Sequence, residues 1–407
     1  MKPEPLAALK ISDNTDKIRL THRKIRFIYN PTVRSFLFQL LAVIALIFLF
    51  YTIINNTLSN LNARGIATGF SFLDQPAGFG IGLSLIDYNE SHSYGRTFIV
   101  GLLNTGLVSL LGIFFATVLG FMIGIARLSS NWLVNRLAAL YVETFRNIPL
   151  LLQIFFWYFA VLQALPSPRE SLSLGGAVFL NVRGLFLPSI TFEPQSLWVL
   201  IAFTLGLFGT VGIILWRKKR SQKTAQSRLI FRVVLAMSLG LPLLAYGLSG
   251  MPISFQYPEL RGFNYRGGVS IIPELVALLI ALSIYTAAFI AETVRSGING
   301  ISQGQTEAAM ALGLPRSKTL KLVIIPQAMR IIVPPLTSQY LNLTKNSSLA
   351  MAIGYPDLVS VFAGTTLNQT GQAIEIIAMT MGVYLALSLL TSALMNIYNR
   401  KVALVEK

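Results

Sequence analysis

From Phe98 to Ala126 the chain runs 29 residues without a charged side chain. A helix needs roughly 20 mainly apolar residues to cross ~30 Å of hydrocarbon at about 1.5 Å per residue. Comparable runs recur at Phe36 to Ile54, about Leu137 to Leu165, Leu197 to Trp216, about Leu229 to Leu248, Ile272 to Ala291, Ile331 to Gly354 and Ile376 to Tyr398. A bilayer offers no water to backbone polar groups, so each run must close its own hydrogen bonds as a helix. The sequence therefore predicts an all-α polytopic membrane protein of about eight transmembrane helices. The first run is long for a signal-peptide core and no small-residue cleavage site follows it, so it is expected to be a retained span. Composition agrees, with 54% hydrophobic residues, 12% charged residues and a mean hydropathy of +0.63.

Thirty-three Lys and Arg oppose sixteen Asp and Glu, giving +17. In polytopic proteins basic residues gather on the cytoplasmic side. An eight-span arrangement with both termini inside assigns 25 basic residues to that side, including a cationic arm over 1–34 and the cluster WRKKRSQK after the fourth span. Only Arg64, Arg96, Arg169, Arg183, Arg261 and Arg266 fall outside, with Arg146 and Lys345 at membrane depth. The charge thus reports topology, with N and C termini cytoplasmic. No aromatic-interleaved basic domain supports a nucleic-acid partner. Zero cysteines exclude disulfides, thiolate catalysis and Cys-ligated metals. The two histidines, His22 and His92, give little support to a metal cluster or a Ser-His-Asp triad. Neither catalytic nor metal-ligating residues are expected.

Between the sixth and seventh runs the chain reads SGINGISQGQTEAAMALGLPRSKTLKLVIIPQAMRIIVPP, too charged to cross. Ser302 and Gln305 have capping-box spacing, and good helix formers follow until Gly313, a natural stop, with Pro315 beyond. The pattern predicts a short helix, a sharp turn and a second helix from near Ser317. Glu307, Ala308, Ala309 and Leu312 then lie on neighbouring turns, where small alanines permit close approach of another protein. On physical grounds alone, an ordinary interfacial amphipathic helix fits as well.

The segment EAAMALG, nine residues, then Val323-Ile324-Ile325-Pro326 resembles the EAA loop of permeases from binding-protein-dependent ABC importers. Glu307, Ala308, Ala309, Gly313 and Pro326 match that pattern, while Val323 and Ile325 depart conservatively. The stretches GLLNTGLVSLLGIFFATVLGFMIGIARLS, ETFRNIPLLLQIFFWYF, YTAAFIAETVRSGINGISQGQ and LTKNSSLAMAIG resemble the polar and general L-amino acid subfamily of these permeases. The likeness covers about 98–165 and 271–400. It implies a type I importer permease core in two parts, an added basic arm, span and loop over 1–97, and a two-span insertion over 166–270, with the coupling loop at 297–326. It further implies an ATPase-coupling set of Glu307, Ala308, Ala309, Leu312, Gly313 and Pro315. The implied partners are a second permease, homologous or identical, two ATPase subunits and an extracytoplasmic amino acid-binding protein, besides membrane lipid. The expected location is the bacterial cytoplasmic (inner) membrane. No GxxxxGK[ST] phosphate loop occurs in the chain, so no cofactor is expected here; ATP and Mg belong to the partner ATPase.

A zwitterionic substrate must exchange water for polar partners at both ends. Lys345 interrupts an apolar run, at a cost of roughly 2.5–3.5 kcal/mol at mid-depth unless it faces a partner or a watery cavity. Asn342, Thr344, Asn346, Ser347 and Ser348 surround it, and a helix broken after Pro334-Pro335 would aim free backbone donors at a carboxylate. These residues are pathway candidates, with Gln153 a weaker one. Equally, Lys345 can snorkel to an interface or pair with the second permease. Glu143 and Arg146 share a helix face, where they are expected to pair in a structural or gate role, and Glu292 with Arg295 repeats that spacing just before the coupling loop, where the pair is expected to brace the coupling helix. The spans of the insertion are expected around the outside of the core. An ion-coupled secondary amino acid transporter is the alternative reading; an embedded enzyme is disfavoured by the scarcity of His, Cys and clustered carboxylates.

Overall fold

The computed structural model describes residues 31–63, 65, 68–220, 233–250 and 253–402. Most of the expected basic arm, the basic stretch 221–232 and the tail 403–407 lie outside the described residues. The chain divides into two compact units, Met1–Phe70 and Ser71–Lys407. The first contains α1 (Pro31–Ala63), a helix with exposed apolar side chains.

The second unit is predominantly helical, as the apolar runs dictate. Its long apolar helices are α2 (Tyr94–Ala126), α5 (Ser196–Arg220), α7 (Pro273–Asn299), α9 (Arg316–Ile353) and α11 (Ala373–Val402). Two of the eight expected spans depart from a simple crossing. The third is broken into α3 (Trp132–Asn147) and α4 (Leu150–Leu162), bent by 105°. The cause is Pro149, which drives Ile148 out of the helical region to φ −92°, ψ 126° and leaves the chain to restart at Leu150. The fifth, α6 (Val233–Leu248), spans only ~24 Å in its described residues, short of the ~30 Å hydrocarbon core. Among the described residues six helices are long enough to cross, or seven if the bent pair counts as one, and the first residues of the fifth expected run, 229–232, lie outside them.

The stretches 166–195 and 250–270, read from sequence as loops, carry short strands. In the first, β1 (Leu172–Leu174), β2 (Val178–Asn181), β3 (Gly184–Leu187) and β4 (Ser189–Phe192) follow in order. In the second come β5 (Ile253–Gln256), β6 (Glu259–Arg261), β7 (Asn264–Arg266) and β8 (Val269–Ile271). The antiparallel pairs β3–β8 and β4–β5 join the two stretches. The insertion thus leaves and re-enters the core at one place, beside the start of α7, with α5 and α6 as its helical arm.

At the centre stands α7, whose Ala277, Leu278, Ala281, Leu282, Ala287, Ala288, Ile290 and Ala291 are fully buried. Against it, α2 presents Ala116, Gly120 and Gly124 at four-residue spacing, the small-xxx-small pattern that lets membrane helices approach closely. A Cβ added at Gly120 would lie 2.6 Å from Ile290 Cβ, and one at Gly124 2.7 Å from Val294 Cβ. The helix pair is as close there as backbone permits. At the far end of α2 from the segment 297–326, Asn104 Nδ2 donates to Leu83 O and Pro356 O, both at 2.8 Å. Residues 71–93 are thereby pinned over the helix ends, with Phe72 buried against Tyr94 and Phe362.

The predicted break at Pro334-Pro335 does not occur. Both prolines sit inside a continuous helix from Ile325 to Asn346. The change comes later, where Ser347–Ile353 tightens to a 3₁₀ turn that ends at Gly354, φ +77°. Then follows α10, wound as a π-helix over Val359–Thr366 and continued by Leu367–Thr370.

Candidate functional site

The segment 297–326 folds as its punctuation dictates. α8 (Gln303–Ala311) ends at Leu312, and Gly313 takes φ +75°, a conformation costly for any residue with a Cβ. Gly313 N donates to Met310 O at 2.9 Å and Leu314 N to Ala309 O at 3.1 Å, which closes the helix with a Schellman motif. Pro315 then caps the start of α9 at Arg316. Glu307, Ala308 and Leu312 are exposed, Leu312 to 82%. Ala309 differs from its sequence assignment, because it faces inward and is only 4% exposed. The capping box also fails to form. Ser302 makes no side-chain cap, and the Gln305 carboxamide, the other half of the box, accepts instead from Gln327 Nε2 of α9 at 3.1 Å. What remains outward is a short, firmly terminated helix with a charge, a small residue and a bare leucine.

Glu292 lies two turns before the end of α7. Its Oε1 accepts from Arg295 Nη2 at 2.5 Å and its Oε2 from Arg295 Nε at 3.2 Å, the same-helix pair that the spacing suggested. It also forms an ion pair that sequence did not suggest, with Arg127 at the C-terminal cap of α2. The Arg127 backbone is held in turn, because Asn135 Nδ2 of α3 donates to its carbonyl at 2.6 Å. The expected Glu143–Arg146 pair is absent among the described ion pairs. Both side chains are exposed, and the Arg146 guanidinium instead lies 5.1 Å from the centre of the Phe289 ring on α7. An aromatic face one turn from Glu292 competes successfully for the guanidinium. Arg127, just after α2, and Arg295 of α7 therefore share one carboxylate at the end of α7 nearest α8, with Arg146 of α3 on the Phe289 ring one turn away.

Around Lys345 a half-open groove of about 460 Å³ is lined by Lys345, Ser348, Val359, Thr380, Met381, Tyr384, Leu385 and Ser388. Of the six residues singled out in sequence near this lysine, the groove takes Lys345 and Ser348. Thr344 and Ser347 are buried, and their hydroxyls donate to Tyr340 O at 3.0 Å and Thr344 O at 2.7 Å within their own helix. Asn342 is exposed and Asn346 half-buried, outside the lining. Gln153 is occupied elsewhere. Its Nε2 donates to Phe145 O at 3.0 Å and Ile148 O at 2.9 Å, which staples the bend between α3 and α4. The missed residues Thr380, Tyr384 and Ser388 stand four apart on α11, a helix-face pattern visible in the sequence.

Behind the groove wall, Tyr384 Oη donates to Asp357 Oδ2 at 3.3 Å. Asp357 is fully buried in the turn between α9 and α10, where its Oδ1 accepts from Ser360 N at 2.8 Å. Burial pushes its carboxyl up to about 7. Next to it, Leu358 N donates to Thr105 Oγ1 of α2 at 3.0 Å and Tyr355 Oη to Asn104 O at 3.0 Å. In the sequence Asp357 stands alone after Gly354-Tyr355-Pro356, a turn-like stretch with no second carboxylate beside it.

Comparison with known proteins places this architecture. The profile of the family described as "Binding-protein-dependent transport system inner membrane component" matches residues 116–404. The chain is 57% identical over 378 residues to the putative amino-acid ABC transporter permease protein YhdX of Escherichia coli (strain K12), covering 93% of this chain and 96% of that one. It is 51% identical over 379 residues to the general L-amino acid transport system permease protein AapQ of Rhizobium johnstonii, with 93% and 94% covered. It is 40% identical over 423 residues to the glutamate/glutamine/aspartate/asparagine transport system permease protein BztB of Rhodobacter capsulatus, with 97% and 99% covered. These relatives are ABC transporter permeases, which disfavours an ion-coupled secondary transporter. The chain belongs to the family of inner membrane components of binding-protein-dependent transport systems.

Proposed function

We propose that this chain is the membrane-spanning permease subunit of an ATP-driven amino acid importer in the cytoplasmic (inner) membrane of a bacterium, with both termini and α8 on the cytoplasmic side. The observation that carries the reading is α8 itself. Leu312 stands 82% exposed, the Schellman closure fixes the end of α8, and the Gln305–Gln327 hydrogen bond ties α8 to α9. A rigid protrusion with an exposed leucine fits insertion into a groove of an ATPase subunit. Two ATPases would hold ATP and Mg, and their closure would displace α8. A second permease, identical or homologous, completes the pathway. An extracytoplasmic amino acid-binding protein delivers the substrate, and lipid surrounds the apolar helices. This chain performs no chemistry on the substrate.

The amino acid assignment is supported by the relatives' names and by the Lys345 groove. There the Lys345 ammonium and the Ser388 hydroxyl offer donors to a substrate carboxylate, while the Ser348 hydroxyl donates to Lys345 O at 2.8 Å. The test is Leu312→Asp in the complex reconstituted with its ATPase and receptor. The substitution touches no packed neighbour, so thermal stability should hold while ATP-driven uptake is lost. Uptake that continues at the wild-type rate refutes the assignment of α8.

A further inference from the structure

We infer that Arg127 is a positioning residue for transport: by holding Glu292 it locks α2 to α7, so that a displacement of α8 reaches the far end of the bundle instead of being lost in sliding between the two helices. The inference rests on the reading of α8 as the ATPase contact.

The geometry supplies each link. Three residues join α7 to α8, so a push on α8 is felt first at the end of α7. There α2 and α7 touch through Gly120 against Ile290 and Gly124 against Val294. Such a contact resists compression, because backbone and branched carbons already meet. It resists sliding along the helix axis poorly, since glycine offers no knob to engage a hole. One turn beyond Gly124, Arg127 crosses to Glu292, and the pair is directional and lies across the sliding coordinate. Arg127 is partly buried, at 15% side-chain exposure, so the pair is less screened than one on an open surface. Its backbone is also tied to α3 through Asn135. At the other end of α2, Asn104 and Thr105 hold Pro356 and Leu358, immediately beside Asp357. A locked α2 therefore connects α8 to the Asp357–Tyr384 contact behind the groove.

Arg295 provides the internal control. It binds the same carboxylate but belongs to α7 itself, so its loss weakens the charge cluster without releasing α2. Electrostatic stabilisation and interhelical locking are thereby separable. The measurement is amino acid taken up per ATP hydrolysed, in proteoliposomes containing the whole complex and saturating receptor. Arg127→Gln should lower that ratio about five- to tenfold, in the range of coupling free energies between sites, while Arg295→Gln stays near wild type. The exchange Arg127→Glu with Glu292→Arg keeps two arginines and one glutamate there and should recover much of the ratio.

Because the chain has no cysteine, Arg127→Cys/Glu292→Cys gives a unique thiol pair. A short bis-methanethiosulfonate bridge across it should restore the ratio, and reduction should abolish it again. This arm keeps the test decisive if Arg127→Gln does not assemble. A wild-type ratio in Arg127→Gln, an equal loss in Arg295→Gln, or a bridged pair no better coupled than the open one overturns the inference. If these occur while Leu312→Asp still abolishes uptake, the function stands and only the lock is wrong.

Discussion

Replacing Gly120 by alanine probes the close crossing of α2 on α7. The new methyl carbon would lie 2.6 Å from both Ile290 Cβ and Cγ2 and 3.1 Å from Ala287 O, where carbon atoms prefer about 3.5–4.0 Å. Rotating Ile290 can move Cγ2 but not Cβ, which is fixed to the α7 backbone, so the helices themselves must separate by about an ångström. Overpacking of this kind costs about 1–3 kcal/mol. Gly106 lies on the same helix with nothing within 4 Å of its Cβ position, and alanine there gains about 0.5–1 kcal/mol by removing a mid-helix glycine. Removing a mid-helix glycine helps both variants alike, so the two should differ by roughly 1–3 kcal/mol, with Gly120→Ala the less stable. Thermal unfolding in detergent, followed by tryptophan fluorescence, should rank Gly106→Ala at or above wild type and Gly120→Ala below both. If Gly120→Ala unfolds no earlier than wild type, or Gly106→Ala falls as far, the close packing of α2 on α7 is wrong.

At Gly313 the space is open but φ is +75°, so Gly313→Ala should cost about 1–2 kcal/mol through the backbone alone. Uptake should fall severalfold as the end of α8 frays, with Gly313→Asn, which tolerates that conformation, less affected. Lys345→Met should weaken substrate binding and uptake without lowering the melting temperature; normal values for both would remove Lys345 from the pathway. Asp357 carries a raised pKa, so its contribution to stability is full below the ordinary carboxylate range and fades as pH climbs through about 7. Wild type should therefore melt earlier at pH 8.5 than at pH 5.5, and Asp357→Asn should shrink that difference. An unchanged difference in the variant would show that other groups set the pH dependence.

What the sequence made legible follows from how locally each feature is encoded. Helices α2, α7 and α11 are written in uninterrupted apolar runs, and the α8 stop is written in Gly313 and Pro315, which act within one turn. Pro149 was equally visible, yet an apolar run continues through it, and hydropathy alone does not register a 105° bend. The pairs β3–β8 and β4–β5, which join the two stretches of the insertion, form only across 60 or more intervening residues, which local pattern does not reveal, whereas β1–β2, β2–β3 and β6–β7 are short local hairpins. The Arg127–Glu292 pair joins positions 165 apart, and charge spacing within one helix cannot reveal it. For the same reason Thr344 and Ser347 looked like pathway residues. Nothing in their identity tells whether a hydroxyl faces a groove or its own backbone.

The polar groups of α2 differ between its ends in a way that bilayer physics accounts for. At the coupling end the tie is ionic, with guanidinium and carboxylate partly exposed beside a basic segment, where headgroups and water limit the desolvation cost. Ten or so residues in from the other end, Asn104 and Thr105 make neutral hydrogen bonds while buried, which avoids placing charge among apolar side chains. Between them the helix offers α7 almost only small or apolar atoms. Fixing α2 at both ends and leaving its middle smooth means that resistance to axial sliding is concentrated in a few contacts. Loss of one contact at the coupling end should then change how far motion travels more than it changes whether the protein folds.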